Sequence, residues 1–166
     1  MRPKSRGTVR LHSSDPHQAP RIQFNHLQEI ADVRDIRDAL RLTRELVQQT
    51  AFASFLDKEI SPGSEVQTDS DFETFIRNSV STSHHPSCTC KMGTDNMAVV
   101  GENARVHGVD GLRVIDASII PAIISANLNA ATLMIAEKAA DAVRDRKPLA
   151  PIDAPYYRAP DRGDRG

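Results

Sequence analysis

The sequence contains no tryptophan and few other aromatic residues. Its 166 residues include five phenylalanines and two tyrosines. Hydrophobic residues make up 39% of the chain, which is enough for the core of one domain but lean for a free-standing one. We therefore expect either one domain or a part of a larger one.

An excess of charge of one sign is also missing. Lysine and arginine total 21 against 22 aspartates and glutamates, which gives a formal net charge of -1. Because nucleic-acid binding depends on basic side chains that neutralise phosphates, this balance gives no indication of a nucleic-acid partner, and we predict none.

Cysteine is scarce, since Cys88 and Cys90 are the only two. They lie one residue apart, too close for ordinary disulfide geometry, and two cysteines do not make a disulfide framework. The segment Met1–Arg10 is basic and polar and lacks the apolar run of a secretory signal. We expect a reducing compartment and a cytoplasmic protein.

One long stretch without charge, Ala117–Ala136, has the length of a membrane span. Its polar residues and its proline would each be costly in lipid. These residues are Ser118, Pro121, Ser125, Asn127, Asn129 and Thr132. We predict a segment buried inside a protein rather than a transmembrane helix.

Hydrophobic periodicity predicts two short strands and three helices. Alternation over Thr8–His12 and Ile22–Phe24 indicates the strands, with a turn at Ser14-Asp15-Pro16 between them. Apolar residues at helical spacing predict helices over Gln28–Gln49 and Asn127–Val143. Ser70 and Glu73 have capping-box spacing and predict the start of the remaining helix.

The segments between the predicted helices are less regular. A polar run from Ser81 to Gly93 predicts a loop, and Arg105–His107 and Leu112–Asp116 read as strands around Gly108–Gly111. Pro148–Gly166 combines prolines with scattered charges and predicts a loosely ordered tail.

The predicted loop holds four metal-ligand residue types within seven positions, namely His84, His85, Cys88 and Cys90. Structural zinc sites ordinarily use two ligand pairs that are distant from each other, and this chain has no second cysteine pair. We predict no metal and assign the cysteines to packing. A small metal-binding module remains an alternative.

Three motifs in a fixed order carry a family resemblance. They are His-Pro-Ser-Cys-Thr-Cys-Lys-Met-Gly at 85–93, Leu-Arg-Val-Ile-Asp-Ala-Ser-Ile-Ile-Pro at 112–121 and Asn-Leu-Asn at 127–129. This set resembles the glucose-methanol-choline (GMC) oxidoreductase family, in particular the branch that oxidises choline. The similarity extends upstream through residues 2–7, 15–17 and 59–63.

The resemblance implies an α+β chain that is the C-terminal fragment of a two-domain, FAD-dependent flavoprotein. Residues 1–80 would then belong to the antiparallel-sheet substrate domain, 81–147 to the C-terminal segment of the FAD-binding domain, and 148–166 to the tail. No Gly-x-Gly-x-x-Gly turn for the FAD pyrophosphate occurs in the sequence. A truncated reading frame, a partial sequence and a split gene product all agree with this.

By motif position, the resemblance makes His85 the catalytic base and Asn127 a second active-site residue. The neutral form of an imidazole is common near pH 7 and can accept a proton from an alcohol. An amide at Asn127 can bind the substrate oxygen. From residue type alone, Asn127 could equally be a helix N-cap, and both roles can hold at once.

The resemblance also implies where FAD is contacted. The cofactor-binding positions are Asp116, Ala117, Asn129 and Ala130. A carboxylate beside a pyrophosphate would repel it, so we expect Asp116 to order the turn by accepting backbone hydrogen bonds. The helix that opens near Asn129 would stabilise negative charge on the flavin.

The implied activity is the oxidation of choline to betaine aldehyde, in glycine betaine biosynthesis. A respiratory acceptor, at the inner face of the cell membrane, would take the electrons, and the missing N-terminal FAD-binding region would be a partner. For the isolated chain we expect no catalysis. The alternatives are a non-catalytic fragment and the metal-binding module.

Overall fold

The computed structural model describes residues 2–155. Strands and helices are both present there, in the α+β mixture that the sequence predicts. The elements are β1 (Thr8–Arg10), β2 (Arg21–Gln23), α1 (Ile30–Val47), α2 (Asp69–Ser79) and α3 (Asn129–Val143), with 3-10 turns at Thr50–Phe52 and Ala117–Ile119. The last part of the predicted tail, residues 156–166, lies outside the described residues.

Strands β1 and β2 form an antiparallel ribbon in which Val9 pairs with Ile22. Both predicted strands are confirmed, with slightly different ends. Asp15 shapes the turn between them, because its carboxylate accepts the amide of His17 at 2.9 Å. At the start of β1, a Cβ on Gly7 would lie 2.9 Å from the carbonyl oxygen of Phe24, so only glycine allows this close approach.

A first apolar cluster joins helix α1 to helix α2. Val33 of α1 and Phe72 and Ile76 of α2 are buried together with Leu27. The helical spacing of apolar residues predicts these contacts, because residues three or four apart lie on one face of a helix. Both predicted helices are confirmed, α1 two residues shorter at each end than expected.

The N-terminus of α2 corrects one sequence prediction. The capping box uses Thr68 and Asp71 instead of Ser70 and Glu73. The Asp71 carboxylate accepts the amide of Thr68 at 2.8 Å, and the Thr68 hydroxyl accepts the amide of Asp71 at 3.2 Å. Both pairs have the same three-residue spacing, so the prediction failed because spacing alone does not choose between them.

Arg44 connects α1 to the segment that leads into α2. Its guanidinium donates to both carboxylate oxygens of Glu59 and to the carbonyls of Gly63 and Val66. It also lies 4.9 Å from the centre of the Phe72 ring. One planar group thus fixes the loop Glu59–Gly63 against the first cluster.

The buried carboxylate of Asp32 ties the N-terminal segment to α1. It accepts the amides of Lys4 and Ser5 at 2.6 and 2.8 Å and also the Ser5 hydroxyl. Burial raises the pKa of Asp32, but these hydrogen bonds outweigh it and leave the pKa below its ordinary value.

A second apolar cluster lies between the loop after α2 and helix α3. Val100, Ala104 and Ile119 are buried at its centre, and Ile135 of α3 packs against them. The strands predicted at Arg105–His107 and Leu112–Asp116 are wrong, since only the isolated bridge Arg105–Arg113 pairs them. Two hydrogen bonds form this bridge, from the amide of Val106 to the carbonyl of Leu112 and from that of Val114 to the carbonyl of Ala104, whereas the amide of His107 donates to Val99.

The uncharged segment Ala117–Ala136 is buried only in part. Ile119, Ile120 and Leu128 have exposed fractions of 3 to 7%, whereas Leu133 and Met134 are 59% and 57% exposed. The outer face of α3 is therefore not covered by the other described residues of this chain. None of the helices in residues 2–155 is long and apolar enough to cross a membrane.

Candidate active site

His85 lies in the loop between α2 and the second cluster, which has no regular structure from Ser81 to Thr89. Its side chain is half-buried, and its Nδ1 contacts the carbonyl oxygen of Ser83. Because a carbonyl oxygen only accepts, Nδ1 must carry the proton in this contact. In the neutral imidazole, Nε2 is then the unprotonated nitrogen and can accept a proton.

Two backbone hydrogen bonds hold the C-terminal part of this loop. The amide of Cys90 donates to the carbonyl of Ser118 at 3.0 Å, and the amide of Met92 donates to that of Ile119 at 2.8 Å. The loop that carries His85 is therefore fixed to the 3-10 turn Ala117–Ile119, although the two are about thirty residues apart in the chain.

Asp116 begins that 3-10 turn and makes the contact predicted for it. Its carboxylate accepts the amide of Ser118 at 2.7 Å, so its negative charge is directed at its own backbone. The amide of Ala117 has no hydrogen-bond partner among the described residues. This N–H remains available to an oxygen atom of a bound molecule.

Helix α3 begins without a side-chain cap. Its N-cap residue is Leu128, which cannot accept a hydrogen bond through its side chain. The alternative role of Asn127 as the helix N-cap is not adopted, because the helical backbone starts one residue later than that role requires. Asn127 is exposed.

The first turn of α3 presents unpaired amides. Its first paired amide is that of Thr132, which donates to the carbonyl of Leu128 at 2.8 Å. Those of the three preceding residues, which include Asn129 and Ala130, have no partner within residues 2–155. Helix α2 differs, since its first turn is capped. An open N-terminus attracts negative charge and polar oxygens.

The structure brings the two predicted cofactor-binding pairs onto contacting elements. Helix α3, which opens at Asn129 and Ala130, contacts the 3-10 turn that opens at Asp116 and Ala117. His85 is joined to this unit through its loop rather than by a direct hydrogen bond to Asn127. The two turns with unpaired amides are thus parts of one packed unit.

Cys88 and Cys90 are both free and half-buried. The Cys88 sulfur lies 3.2 Å from the hydroxyl oxygen of Ser87. No group of three or more His, Cys, Asp or Glu side chains in the described part of the chain could hold a metal ion. The metal-binding alternative gains no support from this arrangement.

Sequence reasoning missed the residues that fix the site through their main chain. Ser83 sets the His85 tautomer, and Ser118 and Ile119 anchor its loop, all through carbonyl oxygens. Every residue has a backbone carbonyl, so the residue type does not indicate which carbonyl will accept a hydrogen bond. No sequence signal could therefore have identified these three residues.

The chain matches known proteins over most of its length. Residues 3–136 match the family model for the C-terminal part of GMC oxidoreductases. The chain belongs to the GMC oxidoreductase family. This confirms the resemblance seen in the motifs at 85–93 and 112–121.

Curated relatives and solved structures of GMC type agree with this assignment. An oxygen-dependent choline dehydrogenase of Ectopseudomonas mendocina is 53% identical over 100% of this chain, which spans 29% of that protein. Pyridoxine 4-oxidase from Mesorbium loti superposes with a TM-score of 0.80 at 35% identity, over 89% of this chain and 29% of that one. An FAD-dependent oxidoreductase from Chaetomium thermophilum superposes with a TM-score of 0.81 at 30% identity, over 87% of this chain and 25% of that protein. The GMC segment described here thus spans less than a third of these proteins.

Proposed function

We propose that this chain supplies the C-terminal part of an FAD-dependent enzyme that oxidises choline to betaine aldehyde. The observation that carries the proposal is the contact between helix α3 and the 3-10 turn Ala117–Ile119, two elements that each begin with unpaired backbone amides. The choice of choline as the substrate rests on the relatives, which are 52 to 54% identical to this chain and are named oxygen-dependent choline dehydrogenases.

The residues present fit FAD, a cofactor rich in phosphate and carbonyl oxygens. The Ala117 amide and the first-turn amides of Asn129 and Ala130 can donate to such oxygens. Asp116 contributes by ordering the turn, since its carboxylate is occupied by the amide of Ser118. When bound, FAD would accept the hydride that leaves the alcohol carbon.

His85 acts as the base that takes the hydroxyl proton of the alcohol. The Ser83 carbonyl holds the proton on Nδ1, which leaves Nε2 as the accepting atom. Half-burial keeps this nitrogen reachable by a small substrate. A positioned imidazole typically contributes about 10² to 10⁴ in rate.

Asn127 binds the substrate oxygen with its side-chain amide. This side chain is exposed and does not cap α3, because Leu128 is the N-cap residue of that helix. An amide donor aligns the hydroxyl without competing for its proton. His85 and Asn127 thus act on the same oxygen atom from different elements.

The quaternary ammonium of choline calls for aromatic faces. Phe72 is buried and Phe75 packs against the first cluster. Phe24, Phe52 and Phe55 are exposed, but they lie on none of the segments that carry His85 and Asn127. We therefore assign most of the cation site to the part of the enzyme outside these 166 residues. The same part would supply the FAD pyrophosphate turn.

A chimaeric enzyme tests the proposal. The aligned 29% of the Ectopseudomonas mendocina relative is replaced by this chain, and flavin content and choline oxidation are measured after gel filtration. We expect retained flavin that is reduced by choline, whereas the 166-residue chain alone should retain none. A folded chimaera without flavin, or with flavin that choline does not reduce, would contradict the proposal.

A further inference from the structure

A cleft lies at the C-terminal end of α3, opposite the end with the unpaired amides. Its volume is about 320 Å³, and three arginines line it, Arg105, Arg113 and Arg146. This size is at the lower end of the range for small-molecule sites. None of the residues proposed for FAD or substrate contact lines it.

Two of these arginines face each other across an antiparallel bridge. Arg105 and Arg113 are direct partners in the bridge, which places their side chains on the same face. Directly opposed like charges destabilise such a pair. A bound anion between the guanidinium groups would convert this repulsion into attraction.

The donors of the three arginines are largely uncommitted. Arg113 donates one hydrogen bond, to the carbonyl of Asn103 at 2.7 Å, out of the five that a guanidinium can make. Arg146 lies 3.6 Å from the carboxylate of Asp141, a loose contact. Within residues 2–155, no ion pair joins Arg105 to a carboxylate.

The end of α3 accounts for only part of this positive charge, because Arg105 and Arg113 do not belong to the helix. The carbonyls of Ala140 and Asp141 accept the amides of Arg144 and Arg146, whereas those of Ala142 and Val143 have no partner within residues 2–155. The cleft contains one carboxylate, that of Asp145. Three guanidinium groups stand against two carboxylates, Asp145 in the cleft and Asp141 beside Arg146, which leaves an excess of one positive charge.

We propose that this cleft binds a small oxyanion, inorganic phosphate or the phosphate of a monoester. The excess of positive charge favours an anion, and planar guanidinium donors suit the oxygens of a phosphate. The cleft accommodates one phosphate with its first waters. The proposal does not depend on the proposed function, because the two sites share no residue.

Calorimetric titration of the 166-residue chain with inorganic phosphate tests this site. We expect saturable one-site binding that Arg105→Gln and Arg146→Gln each weaken about tenfold or more. Asp145→Asn removes the opposing charge and should tighten binding about threefold. Arg34→Gln is the matched control, because Arg34 is an exposed arginine of α1 that does not line the cleft.

Circular dichroism of each variant separates loss of the site from loss of the fold. Arg105→Lys keeps the charge but not the planar donors, so it should weaken binding less than Arg105→Gln does, a ranking that a purely structural role of Arg105 would not require. Absence of saturable binding to the folded chain would overturn the proposal. Equal weakening by Arg34→Gln would overturn it as well, as would binding only to vesicles of phosphatidylglycerol and not to free phosphate.

Discussion

The amide of Met92 donates to the carbonyl of Ile119 at 2.8 Å. This contact fixes the loop that carries His85 onto the turn that begins at Asp116. Because both partners are main-chain groups, the link does not depend on which side chains occupy the two positions. The proposed base and the proposed cofactor-binding turn are therefore held in one unit by the backbone itself.

Removing the imidazole of His85 should abolish most of the catalysis in the chimaera. We expect His85→Gln to lower kcat by about 10² to 10⁴, the usual contribution of a positioned base. The neighbouring His84 is exposed, and no proton-transfer role is proposed for it. His84→Gln is the control and should stay close to the unsubstituted rate. Steady-state kinetics with choline provide the comparison, and a His85→Gln enzyme that keeps full kcat would refute the assignment.

Removing the charge of Asp32 should loosen the N-terminal segment from α1. Asp32→Asn exchanges a carboxylate acceptor for an amide that cannot serve the two amides of Lys4 and Ser5 equally well. We expect a loss of about 1.5 to 3 kcal/mol in the free energy of unfolding. Asp35→Asn, at an exposed position of the same helix, should change it by less than about 0.5 kcal/mol. Urea denaturation measures both.

The pH dependence of unfolding should carry the signature of Asp32. Its native pKa lies below the ordinary value, so its stabilising contribution is complete above the ordinary carboxyl pKa of about 3.9. The contribution is lost as the pH falls through the lower native pKa. Asp32→Asn should therefore differ most from the unsubstituted chain at neutral pH and converge with it in acid. A constant difference across this range would contradict the prediction.

The position of the α2 capping box can be checked directly. Thr68→Ala removes the hydroxyl that accepts the amide of Asp71 and should cost about 0.5 to 2 kcal/mol of stability. Ser70→Ala lies inside the first turn, and should be nearly neutral. Thermal unfolding of the two variants decides between the caps, since equal melting temperatures would leave Thr68 without a capping role.

Arg44 should not be replaceable by lysine. An ammonium group cannot donate to both oxygens of Glu59 and also reach the carbonyls of Gly63 and Val66. We expect Arg44→Lys to cost about 1 to 3 kcal/mol. Limited proteolysis should then cut faster in the loop before α2. Arg34→Lys, at an exposed position of the same helix, serves as the control and should leave both readouts unchanged.

The sequence by itself determined the elements whose signal is local. The periodicity that marks Gln28–Gln49 gave α1 to within two residues at each end, since a helix is defined by contacts three and four residues apart. The ordered motifs at 85–93 and 112–121 gave the family for the same reason, because each is a short continuous run.

Tertiary structure decided what joins distant segments. The Ser118 and Ile119 carbonyls that anchor the His85 loop, and the Asp32 carboxylate that holds Lys4 and Ser5, use main-chain partners. Such contacts depend on where the chain returns in space and leave no pattern in residue type. The strands expected around Gly108–Gly111 are reduced to one bridge, because after Val106 the chain pairs with a third segment, where the amide of His107 donates to the carbonyl of Val99.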